Sequence, residues 1–402
     1  MGKAVQFAAL TVLAIVLVPS EFGRFAVAQI VVTGLASIVS SSFAIAANRT
    51  AAARSSDGEP GAMIVMAGSV YLHRRAIGLT LLLLVVVAPT LYGLLSGDGF
   101  QWWTTAWALL AVAMVISDVA VGALAGAARL RTSALFDTGR VVVGGIGALA
   151  LGMGFGYIGA AYGLILGDVI LASVIAAGLA GVRSELKADI APLTSSRTIR
   201  AGLVANGTAQ IAMWTLTAAI QVGHGLNGVG TYSVANRFAA LVLVAPGLIS
   251  KNSLGVLARE HERRGLVDDQ RVGAVSRYVA ICGALVLVAS IAVLLVVAAA
   301  FGGLALRYEN FHAVLAILLL ATVARAMATA LGVVCVAWGM LGIWQISDLC
   351  AAVTTIIWIA VASIGASDLG TLLLGLVLGA VVALAIRAGA LIVTGRRRRA
   401  HQ

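Results

Sequence analysis

Residues 278–301 read YVAICGALVLVASIAVLLVVAAAF, a run without a single charge. As a helix this stretch rises about 36 Å, and the hydrocarbon core of a bilayer is about 30 Å thick. Every backbone amide in hydrocarbon needs an internal partner, and a helix supplies one. Working outward, similar apolar stretches lie at 4–18, 25–47, 76–95, 102–127, 141–157, 160–180, 201–222, 229–250, 311–337, 343–363 and 370–393. The sequence therefore predicts an all-α polytopic membrane protein of about twelve transmembrane helices.

Composition agrees. Of the 402 residues 61% are hydrophobic and only 11% charged, against about 45–50% and about 25% in soluble domains. Such a chain cannot clothe a globular surface in polar side chains. A soluble enzyme, a secreted disulfide domain and a disordered protein are excluded. Cys282, Cys335 and Cys350 sit in apolar surroundings without metal-ligand spacing and read as small buried hydrophobes. No GxxxxGKS/T phosphate loop, HExxH or Cys/His cluster occurs, so no catalytic residue, cofactor or metal is expected. The net charge of +11 falls in short loops between apolar stretches, which points to lipid contact and not to nucleic acid.

Orientation follows from the same charges. With the N-terminus inside, cytoplasmic segments hold 22 of the 27 basic residues, among them Arg74, Arg75, Arg129, Arg140 and Arg396 to Arg399. The outer loops hold Arg24 and Arg307, and Arg237, Arg325 and Arg387 fall within spans. Both termini are thus expected inside. The outer loops, about 5–12 residues long, are too short for the acceptor-holding domain of a membrane glycosyltransferase.

Residues 181–200 form the clearest polar break. The expected organisation is an N-terminal six-helix lobe over 1–180, a cytoplasmic linker over 181–200, a C-terminal six-helix lobe over 201–394 and a basic tail over 395–402. Gly23-Arg-Phe-Ala-Val-Ala-Gln29 resembles Gly230-Thr-Tyr-Ser-Val-Ala-Asn236 at an offset of 207, which also brings Gly163 onto Gly370. Two halves of equal topology predict a symmetry axis along the membrane normal. The first span has only about 15 apolar residues, short for the bilayer, and reads as a helix lacking its first turns.

The stretch Ala14-Ile-Val-Leu-Val-Pro-Ser-Glu-Phe-Gly23 is similar to the opening signature of polysaccharide flippases of the multidrug/oligosaccharidyl-lipid/polysaccharide exporter superfamily. Val229-Gly-Thr-Tyr232-Ser-Val-Ala235-Asn-Arg237 resembles that family's Gly-x-Tyr-x-x-Ala-x-Arg run. Phe301-Gly302, Tyr308 and Gly339 resemble later landmarks. Departures are Ile15 and Val18, where the family carries Arg and Gly, and Ala212-Met-Trp-Thr-Leu, where an Asp-Arg pair is common. The resemblance implies two lobes around a central cavity in a bacterial cytoplasmic membrane. It implies export of a polyprenyl-diphosphate-linked saccharide for cell-envelope polysaccharide synthesis by alternating access. Expected partners are that lipid-linked saccharide, membrane lipids and proteins of glycan assembly. A multidrug antiporter of the same superfamily and a non-transporting scaffold of a glycan-assembly complex are the competing readings.

Such a cargo needs amide, hydroxyl and aromatic groups for its sugar, and cations for its diphosphate. Asn206, Gln210, Trp214, Thr217 and Gln221 recur at spacings of 4, 4, 3 and 4 and share one helical face. That stripe either lines a cavity or hydrogen-bonds neighbouring helices. Arg325 lies halfway along its span, as a substrate or gating cation or as the partner of Asp348 or Asp168. Arg237 either caps outer carbonyls or meets a headgroup. Arg387 is expected to snorkel, and Arg24 to be solvated or to meet lipid phosphate. Asp118, Asp168 and Asp348 either couple transport to an ion or neutralise arginines.

Overall fold

A computed structural model of the chain describes residues 2–54, 62–72, 74–182, 196–244, 246–247, 249–250, 253–254, 256–257, 269–365 and 368–399. Most of the expected linker, the basic loop from Arg259 and the side chains of the arginine tail lie outside the described residues. The helices are α1 (Gly2–Val16), α2 (Pro19–Arg54), α3 (Ala62–Leu72), α4 (Arg74–Ser96), α5 (Trp102–Gly126), α6 (Leu130–Leu164), α7 (Leu166–Val182), α8 (Ser196–Val242), α9 (Asp269–Ala300), α10 (Gly302–Arg307), α11 (Phe311–Ala337), α12 (Leu341–Ile364) and α13 (Leu369–Arg399). No strand occurs among the described residues, and seven spans there are long and apolar enough to cross a membrane.

Helix ends follow local chemistry. Pro19 opens α2, where its missing N–H costs nothing. Gly156, at φ 62°, breaks α6 beside Phe155, and Gly225, at φ 65°, breaks α8. Gly225 lies where the sequence predicts a turn between spans, whereas Gly156 falls inside the expected span 141–157, so that helix breaks slightly before its expected end. The expected span 160–180 is interrupted at Ile165, which separates α6 from α7.

The apolar faces point outward where no helix covers them. On α9, Ile281, Leu285, Val288 and Leu295 follow helical spacing and are exposed. In water this stripe would be costly; against acyl chains it is at home.

Two compact units divide at Asn206/Gly207. In the first, α2 packs along α5, α1 along α6, and α7 against α5 and α6. In the second, α13 packs against α11 and α12, and α9 against α11. The first unit extends to Asn206 because the start of α8 stays with it: Asn206 Nδ2 donates to Ser42 Oγ at 3.2 Å.

Internal contacts fix how the units correspond. A Cβ on Gly167 would lie 1.9 Å from the Arg140 carbonyl oxygen; one on Gly379 would lie 2.8 Å from that of Ala351. Gly163 meets Gly147, and Gly375 meets Trp358. The turns carry Ala128 at φ 61° and Gly339 at φ 72°. These pairs are 211 or 212 residues apart. The expected match of Gly163 with Gly370 is therefore corrected to Gly375. A single offset of 207 fails because the glycines sit where backbones touch, and that register differs from the sequence match by one helical turn.

Candidate functional site

In the first unit, polar side chains converge where α5, α6 and α7 meet. Asp137 and Arg140 are one turn apart on α6, and Arg140 donates from Nε and Nη2 to Asp137 Oδ1 at 3.1 and 2.7 Å. Gly167 admits the Arg140 backbone, which brings the first turn of α7 to the same place. There Asp168 Oδ1 accepts from Arg140 Nη1 at 2.7 Å. Asp118 of α5 completes the group, its Oδ1 accepting from Nη2 at 2.6 Å. Ser117 Oγ donates to the Asp168 carbonyl at 3.3 Å. The Arg140 side chain is only 11% exposed. Three carboxylates bond one guanidinium. Charges this close in a low dielectric interact strongly.

This corrects the place given to Arg140 among solvated topology charges: it is the hub of an ion cluster. The sequence reading found Asp118 and Asp168 and missed Asp137 and Arg140. The available signal was the Asp-x-x-Arg spacing on a helix, which sets both side chains on one face.

The second unit solves the same junction differently. Arg387 of α13 is buried at 3% exposure, donating from Nε to Ser347 Oγ at 2.8 Å and from Nη1 to the Ala328 carbonyl at 2.6 Å. Its Nη2 pairs with Asp348. The expectation that Arg387 snorkels is overturned. Gly332 leaves room for the guanidinium, whose hydrogen bonds inside the bundle replace those that water would give. Asp348 thus answers Arg387, while Arg325 acts on Asp348 and Tyr232 through space. Arg325 itself is exposed on α11. Its partner is not Asp168, which bonds Arg140 in the other unit.

On α8, Val204, Ile211 and Val222 form the exposed apolar face. The predicted polar stripe lies about 120° around the helix from it, at 100° per residue. Gln210, Trp214 and Gln221 are partly buried, as is Asn206. Thr217 is fully buried and donates to the Met213 carbonyl one turn back in its own helix at 2.8 Å. Arg237 is partly buried beside Tyr308. Burial pushes the Tyr308 phenol up to about 12, which keeps it protonated. Phe238 packs edge-on against Phe301 and Phe311 next to it.

Arg24 also departs from expectation. It is held by Asp98, from Nε at 2.9 Å and Nη2 at 3.3 Å. Asp98 was not singled out in the sequence, because the contact joins α2 to the loop after α4. No group of three or more His, Cys, Asp or Glu side chains suited to a metal occurs among the described residues.

These features define a multi-pass α-helical membrane protein of two compact units. No protein-family model and no curated protein matches the sequence. Solved structures do share the fold. A structure described as a MATE P26A mutant aligns at TM-score 0.72 and 16% identity over 99% of this chain and 94% of that chain. An outward-facing multidrug resistance MATE family transporter of the MOP superfamily aligns at TM-score 0.69 and 17% identity, over 99% and 92%. An inward-facing one aligns at 0.62 and 17%, over 99% and 93%. The chain therefore has the fold seen in MATE transporters.

Proposed function

We propose that the chain is a secondary membrane transporter moving an amphiphilic cargo by alternating access. The observation that carries this reading is the two-unit MATE-like fold along nearly the whole chain. The similar solved structures are described as multidrug resistance transporters, which favours a multidrug/cation antiporter as the reading for this chain. In that reading the exchanged proton resides at the Asp118–Asp137–Arg140–Asp168 cluster, where three carboxylates converge on one guanidinium.

One observation favours a second cargo, the polyprenyl-diphosphate-linked saccharide of a bacterial cytoplasmic membrane. Asp118 and Asp168 each bond Arg140, and Asp348 bonds Arg387, while Arg325 stands exposed. This pattern sets guanidinium groups against the acids that would attract a cation and leaves a cation to meet a diphosphate. Arg237 and the partly buried amides of Asn206, Gln210 and Gln221, with Trp214, are the remaining candidates for cargo contact.

Two assays decide. Everted vesicles loaded with ethidium and given an imposed pH gradient report antiport, which Asp168→Asn abolishes if the first cargo is right. A leaflet-accessibility assay in a deletion strain reports the lipid-linked saccharide, whose outward appearance Arg325→Gln slows if the second is right. Wild-type protein inactive in both, with folding intact, refutes the transporter reading.

A further inference from the structure

One end of the first unit gathers aromatic rings around an ion pair that the proposed transport does not use. Arg24 is fixed through Nε and Nη2 by Asp98, yet its side chain remains 34% exposed. The Tyr92 hydroxyl donates to Asp98 Oδ2 at 3.5 Å. The Tyr92 ring meets Trp103 edge-on at 5.3 Å between centroids, and Trp103 meets Tyr157 edge-on at 5.8 Å. Arg24, Asp98 and Glu21 all lie near enough to the Tyr157 phenol for their charges to act on it. The indole N–H groups of Trp103 and Trp107 are buried with no acceptor among the described residues. Buried donors normally find one.

A bilayer-interface belt accounts for other rings here. Phe100, Trp102 and Phe155 are exposed at 52%, 78% and 74% and suit the headgroup level. Trp103 and Tyr157 are only partly exposed and pack edge-on against each other, Trp103 also meeting the Tyr92 ring that bonds Asp98.

We propose that Arg24, Asp98, Glu21, Trp103 and Tyr157 form a contact site for the neutral sugar units of a glycan. The reasoning is chemical. A sugar hydroxyl both donates and accepts, and the patch offers guanidinium donors beside carboxylate acceptors. Sugar rings also present C–H faces, which aromatic rings cover. A phosphate would meet two carboxylates and one guanidinium; an organic cation would find both Asp98 oxygens already bonded by Arg24. This site deepens the saccharide reading of the cargo and rests on it.

The test uses the full chain in nanodiscs. The probe is the saccharide pool released by mild acid from the lipid-linked fraction of the source cells, with inorganic phosphate and tetraphenylphosphonium as comparisons. Binding is read by calorimetry. The released pool should bind, and Trp103→Leu should weaken it about tenfold or more. Trp103→Phe should retain most of the binding. Arg24→Gln combined with Asp98→Asn removes the ion pair without stranding a charge and should also weaken it about tenfold. No binding of the pool, or unchanged binding in folded Trp103→Leu, overturns the site. The leaflet assay separates the two ideas: saccharide export without pool binding leaves the cargo reading standing, and pool binding without export leaves the site standing.

Discussion

The two units meet their buried charges in opposite ways at matching junctions. In the first, Arg140 faces Asp118, Asp137 and Asp168; in the second, Arg387 faces Asp348 and otherwise bonds a hydroxyl and a carbonyl. Asp137 and Asp348 are 211 residues apart and occupy equivalent places on α6 and α12. The arginines do not correspond: Arg140 shares the helix of its acid, and Arg387 comes from α13. A duplicated scaffold thus keeps one acid and recruits its cation from different helices. The first gathers three carboxylates on one guanidinium; the second sets one carboxylate against Arg387, with Arg325 acting on it through space.

The sharpest way to break this comparison is to remove each cation. Arg140→Gln leaves three carboxylates together and should cost about 3–5 kcal/mol, read as a large fall in thermal midpoint of the detergent-purified protein. Arg387→Gln strands one carboxylate and should cost less. Equal losses would show that the two further acids of the first cluster do not bear on stability.

Removing each acid should reverse the order. Asp348→Asn takes the carboxylate from buried Arg387 and should cost about 2–3 kcal/mol. Asp137→Asn leaves Arg140 with two acids and should cost about 1 kcal/mol or less. Chemical denaturation of the two variants checks this.

The glycine contacts give a smaller contrast. Gly167→Ala drives a Cβ into the Arg140 carbonyl and should cost about 1–3 kcal/mol. Gly379→Ala first meets the Thr355 hydroxyl at 2.3 Å, a side chain that rotates more easily than a backbone moves, and should cost less. Thermal midpoints of the two variants rank them.

The smallest effect is expected at Asp368, at the start of α13. Hydrogen bonds from the Thr371 side chain and backbone hold its carboxyl below the usual range. A depressed folded pKa means the stabilisation is present above the unfolded value of about 3.9 and is lost as pH falls through the folded one. Asp368→Asn should therefore flatten the midpoint's pH dependence below about pH 4. An unchanged slope there would remove Asp368 from the acid response.

Much of this architecture was legible before any coordinates. Runs such as 278–301 admit no alternative to a spanning helix, and the break at Gly225 falls where apolar stretches pause, while that at Gly156 comes just inside the expected span 141–157. The amide stripe on α8 could be placed on one face because helical periodicity is local. Thr217 shows the limit of that reading: it shares the face, yet packing buries it completely. Arg387 shows another. Distance from a span's end suggested a snorkelling side chain, but Ser347, Ala328 and Asp348 hold it inside.

Hydropathy alone determined that this chain dissolves in lipid as helices, because unsatisfied amides are intolerable there. It also exposed the acids and arginines that hydrocarbon makes conspicuous. Which charge answers which was decided only by the tertiary structure. Asp118 and Arg140 are 22 residues apart, Asp348 and Arg387 39 apart, and no local periodicity relates positions on separate helices. Their pairing depends on where glycines let backbones close to contact, and that is a property of packed surfaces.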